Sequence, residues 1–79
     1  MQPERVLAGI AAIAAPALAV DPAAITLDTP LRDRVDSLAM IDLVVAAEDA
    51  FGVRIPDEDA ERFETVGDVV QFIGRATPG

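Results

Sequence analysis

Seventy-nine residues allow one small domain with a thin core, and this chain contains no histidine, no cysteine and no lysine. Without those side chains there is no Ser/His/Asp arrangement, no imidazole or thiolate ligand for zinc or haem and no disulfide framework, which permits a reducing, cytoplasmic address. The formal net charge is −8, and all but one of those charges fall between Asp36 and Glu64, a field that repels nucleic-acid phosphates and anionic membranes and attracts basic protein patches.

The first twenty residues imitate a secretory signal, with Arg5 in a short head, an apolar stretch from Val6 to Ala15 and Ala17-Leu18-Ala19 as an A-x-A pattern. Glu4 cancels Arg5, however, and the stretch is mostly alanine rather than leucine. The 15 residues from Val6 to Val20 are also too few to span a bilayer as a helix. The same residues read as an amphipathic first helix over about 3–15. Val6, Leu7, Ile10, Ile13 and Ala14 form its stripe, Ala8, Gly9, Ala12 and Ala15 lie behind, and Pro16 ends or bends it. Residues 16–36 read as a connection, marked by Asp21-Pro22, Thr26, Asp28, Thr29 and Pro30. Ile25, Leu27 and Leu31 are spaced along it to pin the segment across a helical bundle.

A second helix is predicted over 37–51, with Asp36 or Ser37 as its N-cap and Gly52 as its stop. At 100° per residue, Met40, Leu43, Val44, Ala47 and Phe51 share the inward face. Asp42, Glu48 and Asp49 turn outward, and so do Leu38, Ile41 and Val45. Three large apolar groups among acids on an outer face point to something that binds there. After Val53-Arg54-Ile55, Pro56 suits the start of a short third helix over about 57–63, whose first-turn acids favour the positive end of the helix dipole. Thr65 followed three residues later by Asp68 has the spacing of a capping box, and it opens a last helix over about 66–74 with Val66, Val69, Val70 and Ile73 as its stripe. Asp57-Glu58-Asp59 does not have the spacing of a calcium loop, because adjacent acids on a helix point in different directions.

Ser37 has no base of near-neutral pKa in its own chain, so chemistry at its hydroxyl must be done by another protein. That argues for a module that is modified and handed between enzymes rather than for a catalyst. Asp36-Ser37-Leu38, the helix carrying Asp42, Glu48 and Phe51, then Gly52-Val53-Arg54-Ile55-Pro56-Asp57-Glu58 and Thr65-Val66-Gly67-Asp68-Val69-Val70 together resemble the acyl carrier proteins, from about Val6 to Ile73. The resemblance implies an all-α, four-helix bundle with three longer helices and one short third helix, forming a single carrier domain over 1–79. It also implies that Ser37, beside Asp36, is the attachment point for 4′-phosphopantetheine, transferred from coenzyme A by a separate magnesium-dependent phosphopantetheinyl transferase. The chain departs from the family pattern before the serine, where Asp33-Arg34-Val35 stands in place of the common Leu-Gly-x and the stretch from Pro30 is about one residue shorter.

The expected partner surface comprises Asp36, Asp42, Glu48, Asp49, Asp57 and Glu58 for basic patches, Leu38, Ile41 and Val45 for apolar contact, and Arg34 as a positive group beside the serine. The partners implied are the transferase, an acyl- or aminoacyl-loading ligase or acyltransferase, and a ketosynthase or other acyl-processing enzyme, met by a monomer. Ala47 faces inward where bulkier aliphatics fit, leaving room for an acyl chain between helices. The lack of lysine and the abundance of Ala and Arg resemble a GC-rich bacterial coding bias and lean towards specialised metabolism, such as polyketide synthesis, beside fatty-acid synthesis. Two further readings are a discrete aminoacyl or peptidyl carrier of nonribosomal type, whose usual Gly-Gly before the serine region is missing here, and an unmodified helical docking module. Met1 and a tail ending at Gly79 suit a free-standing protein.

Overall fold

Pro3 occupies the first turn of α1 (Pro3–Leu18), where a missing N–H costs nothing, in a computed structural model that describes residues 2–77. A 3₁₀ turn at Pro22–Ala24 follows, then α2 (Ser37–Phe51), α3 (Asp57–Ala60) and α4 (Val66–Ala76). Three of the four helices end at a different residue from the sequence reading. α1 runs through Pro16 to Leu18 instead of stopping near residue 15. Pro16 and Ala12, whose carbonyl loses its donor, are both exposed, so the lost bond lies on the solvent side of the helix, where it costs least. α3 is only 4 residues long, because Glu61 and Arg62 form a turn that brings Phe63 into the core. α4 continues past Gly74 to Ala76, and Thr77 closes it with both its backbone N–H and its hydroxyl on the Ile73 carbonyl.

α1 is the central helix and packs against both α4 and α2. Its buried residues are Val6, Ile10, Ala11, Ala14 and Ala15, so Ala15, read as lying behind the stripe, is inside, and Ala11 is inside with it. Their small size lets neighbouring helices come close on both sides. Leu43, Val44 and Ala47 of α2 and Val66, Val69, Val70 and Ile73 of α4 complete the core with Ile25, Leu31, Ile55 and Phe63 from the connections. No helix is long and apolar enough to cross a membrane among the described residues.

The connection between α1 and α2 is held by backbone as much as by side chains. Ile25 is 5% and Leu31 0% exposed, which makes them the pins. Leu27 is not a pin, for its side chain is 47% exposed. What holds that residue is its carbonyl, which accepts from Gly67 N at 2.8 Å. Thr29 O accepts from Val66 N at 2.9 Å and Glu64 O from Leu31 N at 2.8 Å, so residues 27–31 lie antiparallel to 64–67. The first turn of α4 is thereby fixed twice. Its amides bond to the connection, and Thr65 and Asp68 form the reciprocal capping box that their spacing predicts.

Two positions carry measurable consequences. Ala19 ends α1 in the left-handed region at φ 57°, a conformation that suits glycine better. Ala19→Gly is expected to stabilise the domain by about 1 kcal/mol and raise Tm by several degrees in a thermal melt. A Cβ on Gly67 would stand 2.8 Å from the Leu27 carbonyl oxygen, the same atom that Gly67 N bonds. Gly67→Ala is expected to cost about 1–3 kcal/mol by urea denaturation, because the backbone stitch must open to admit the methyl group.

Candidate functional site

The chain reaches α2 through a tight turn over Leu31–Val35, closed by Arg34 N and Val35 N on the Leu31 carbonyl at 2.9 and 3.0 Å. This turn leaves Arg34 exposed. Asp36 is the N-cap, its carboxylate accepting from Ala39 N at 2.8 Å while its carbonyl accepts from Met40 N at 2.9 Å. Ser37 is therefore not the cap. It is the first helical residue, it is exposed, and its hydroxyl makes no hydrogen bond to the described residues. The Ser37 and Leu38 amides also have no acceptor among the described residues, so two donors at the positive end of the α2 dipole remain available beside the hydroxyl.

Leu38, Ile41 and Val45 stand 71%, 58% and 51% exposed on the outer face of α2, interleaved with exposed Asp42 and Asp49. Glu48 behaves differently. It is half-buried, and its carboxylate accepts from Ile55 N at 2.8 Å while its carbonyl accepts from Gly52 N and Val53 N. Gly52, at φ 63°, turns the chain so that these bonds can form. Glu48 thus organises the α2–α3 connection in addition to any charge it presents outward, a role that periodicity does not reveal.

Two adjoining grooves run along the edge of α2 facing α3. The first, about 520 Å³, is lined by Asp36, Ser37, Met40 and Ile41 on one side and by Asp57, Ala60 and Glu61 on the other, with Arg32 and Val35 at its end. The second, about 780 Å³, continues past Val44, Val45, Glu48 and Asp49 to residues 52–57 and Ala60. Met40, Ile41, Asp57 and Ala60 line both. The fold therefore brings Asp57 alongside Ser37 and Asp49, whereas Leu38, Asp42, Glu58 and Arg34 are exposed without lining either groove. Ala47 is fully buried and lines neither groove, so the space beside α2 opens at Met40 and Val44.

Arg32 is a site residue that sequence reasoning missed. Its Nε donates to the Phe63 carbonyl at 3.1 Å and its Nη2 to the carbonyls of Ala60, at 3.1 Å, and Glu61. The guanidinium fork supplies donors to the Glu61 and Phe63 carbonyls and adds a second donor to the Ala60 carbonyl, which already accepts from Phe63 N. No sequence signal links residue 32 to residues 60–63, because only folding brings them together.

A four-helix bundle that exposes, at a helix start, a serine hydroxyl unbonded to the described residues has the form of a carrier domain. The chain matches the family described as phosphopantetheine attachment site over residues 8–73. It is 44% identical over 75 residues to the acyl carrier protein of Renibacterium salmoninarum, covering 92% of this chain and 93% of that protein. It is 43% identical over 72 residues to the meromycolate extension acyl carrier protein of Mycobacterium leprae, covering 89% of this chain and 63% of that longer protein. The solved structure of an acyl carrier protein from Enterococcus faecalis matches with a TM-score of 0.81 at 34% identity, over 98% of this chain and 100% of the other. The chain belongs to the acyl carrier protein family; it is a carrier and not a catalyst, and its cofactor is 4′-phosphopantetheine.

Two of the three acids on α2 separate by experiment. Asp42→Asn is expected to leave Tm unchanged within error, since Asp42 is exposed and makes no bond to the described residues. Glu48→Ala removes the acceptor for Ile55 N and is expected to destabilise the domain by about 1–3 kcal/mol in the same melt.

Proposed function

We propose that Ser37 carries the 4′-phosphopantetheine arm and that the chain presents acyl intermediates of fatty-acid or polyketide synthesis to partner enzymes. The observation that carries this reading is the Ser37 hydroxyl, exposed and unbonded to the described residues while Asp36 does the capping. The residues fit the group. A phosphodiester on Ser37 Oγ would lie beside the uncommitted amides of Ser37 and Leu38, where the helix dipole favours negative charge. When bound, the arm supplies the thiol on which an acyl group is held as a thioester.

The chain's own contribution is presentation. Asp36 fixes the first turn of α2 by its cap, so the serine is delivered on a rigid element rather than on a mobile loop. Having no base of its own, the chain relies on a separate transferase to take the Ser37 proton and deliver the arm from coenzyme A. A tethered cargo then meets each docked enzyme at high effective concentration. Asp42, Asp49, Asp57 and Glu58 attract basic patches, Leu38, Ile41 and Val45 add apolar contact, and Arg34 supplies a positive group next to the serine. Glu48 adds charge to this face while its carboxylate serves the α2–α3 connection. Binding of this kind is weak, fast and salt-sensitive.

The names of the relatives, acyl carriers including one of meromycolate extension, support acyl over aminoacyl cargo and favour fatty-acid chain extension among the acyl pathways. A loading ligase or acyltransferase and a ketosynthase are the enzyme classes this reading supplies as partners, met in the cytoplasm by a monomer. The test is intact mass after incubation with a phosphopantetheinyl transferase, coenzyme A and magnesium. Wild-type chain should gain one arm, and Ser37→Ala should gain none while keeping its Tm. An arm on the Ser37→Ala variant moves the attachment elsewhere, and a wild-type chain that takes none favours an unmodified docking module.

A further inference from the structure

α3 has an unusual dependence for an element that walls a binding groove. Among its four residues none is fully buried and Ala60 alone packs partly against the core, so apolar packing holds it only weakly. The buried anchors are Ile55 before it and Phe63 after it. Between them the segment is held by polar bonds at its two ends, Ile55 N on the Glu48 carboxylate at the front and the Arg32 guanidinium on three carbonyls at the back. Arg32 is the one side chain that bonds the Ala60, Glu61 and Phe63 carbonyls among the described residues. Its own backbone is tied down, for Arg32 N donates to Glu64 O at 3.3 Å next to the fully buried Leu31. The guanidinium therefore projects from a fixed base and lines the groove that Ser37, Asp57 and Ala60 also line.

We propose that Arg32 is a positioning residue for partner docking: by holding the carboxyl end of α3 it fixes Asp57 at the separation from Ser37 that a basic partner reads. The proposal rests on the reading of Ser37 as the attachment residue. Arg32 acts through α3 rather than by touching the reacting atoms. A planar fork with five donors reaches several carbonyls at once, which a lysine ammonium in its place would not reproduce. Because two of the three bonds are exposed, their loss loosens α3 without opening the core formed by α1, α2 and α4.

The test combines amide hydrogen exchange with transferase kinetics on the full chain, using coenzyme A as the arm donor. In Arg32→Ala the protected amides of Ala60, Glu61 and Phe63 should exchange about tenfold faster, while Val69, Val70 and Ile73 change less than about twofold. The transferase KM for the carrier should rise about tenfold with kcat within about twofold, the pattern of lost docking rather than lost chemistry. Arg32→Lys should give the same pattern more weakly, and it carries the test if the alanine variant does not fold. Asp57→Asn should raise KM by itself, and adding Arg32→Ala to it should raise KM by much less than tenfold, because the two residues act through one element. Additive effects of the two substitutions, unchanged KM in Arg32→Ala, or exchange that accelerates uniformly across α1 and α4 would each overturn the proposal. A wild-type chain that takes no arm sinks the Ser37 reading and this proposal with it. Normal loading of both wild type and Arg32→Ala overturns this proposal alone.

Discussion

The backbone stitch between residues 27–31 and 64–67 is the constraint on which the remaining structure depends. The core of so small a domain is thin, and α1 contributes three alanines to its five buried positions, so apolar area on that helix is limited. Carbonyls of Leu27, Thr29 and Glu64 accept from the amides of Gly67, Val66 and Leu31, and together with fully buried Leu31 they lock a long connection against the start of α4. Buried backbone groups left unpaired there would each cost about 1–3 kcal/mol. With the connection locked, the Leu31–Val35 turn has a fixed origin, Asp36 arrives at the head of α2, and Ser37 is held outward.

The division of labour among the charges follows from the same geometry. A carrier must be gripped and released by several enzymes in turn, which favours exposed acids acting at a distance and apolar groups too few to make a lasting contact. Asp42 and Asp49 meet that requirement on α2. Glu48 lies on the same helix, yet its carboxylate is committed to Ile55 N, and Arg32 is a cation whose bonds go to backbone carbonyls instead of to a neighbouring acid. Both hold the short acidic element α3 at the edge of the groove. The net charge of −8 is thus shared between groups that face partners and groups that shape the surface those partners meet.

Periodicity and capping chemistry made α2 and α4 legible, since the Asp36 cap, the Gly52 stop and the Thr65/Asp68 box are local patterns whose physics needs only a few neighbouring residues. The outward face of Leu38, Ile41 and Val45 followed from the 100° rotation alone. Legibility failed where a local rule met a non-local one. Pro16 does not stop α1, because it and Ala12, whose carbonyl it orphans, lie on the exposed side of the helix while Ala14 and Ala15 are buried beside them. The spacing of Leu27 with Ile25 and Leu31 reads as a side-chain pin, but its contribution is a carbonyl. The third helix shortened because Phe63 had to turn inward.

Sequence alone determined that this chain is a small acidic helical carrier, that no residue in it could activate Ser37, and that Ser37 opens an amphipathic helix with an apolar and acidic outer face. Those properties are set by which side chains are present and by the pitch of a helix, both of which are one-dimensional. Tertiary structure decided that Asp36 rather than Ser37 is the cap, that Asp57 shares a groove with the serine, and that Arg32 and Glu48 clamp α3 from either end. Hydrogen bonds across 28 to 31 positions of sequence, like those from Arg32, have no periodic signature, because they exist only after the core has brought the two segments together.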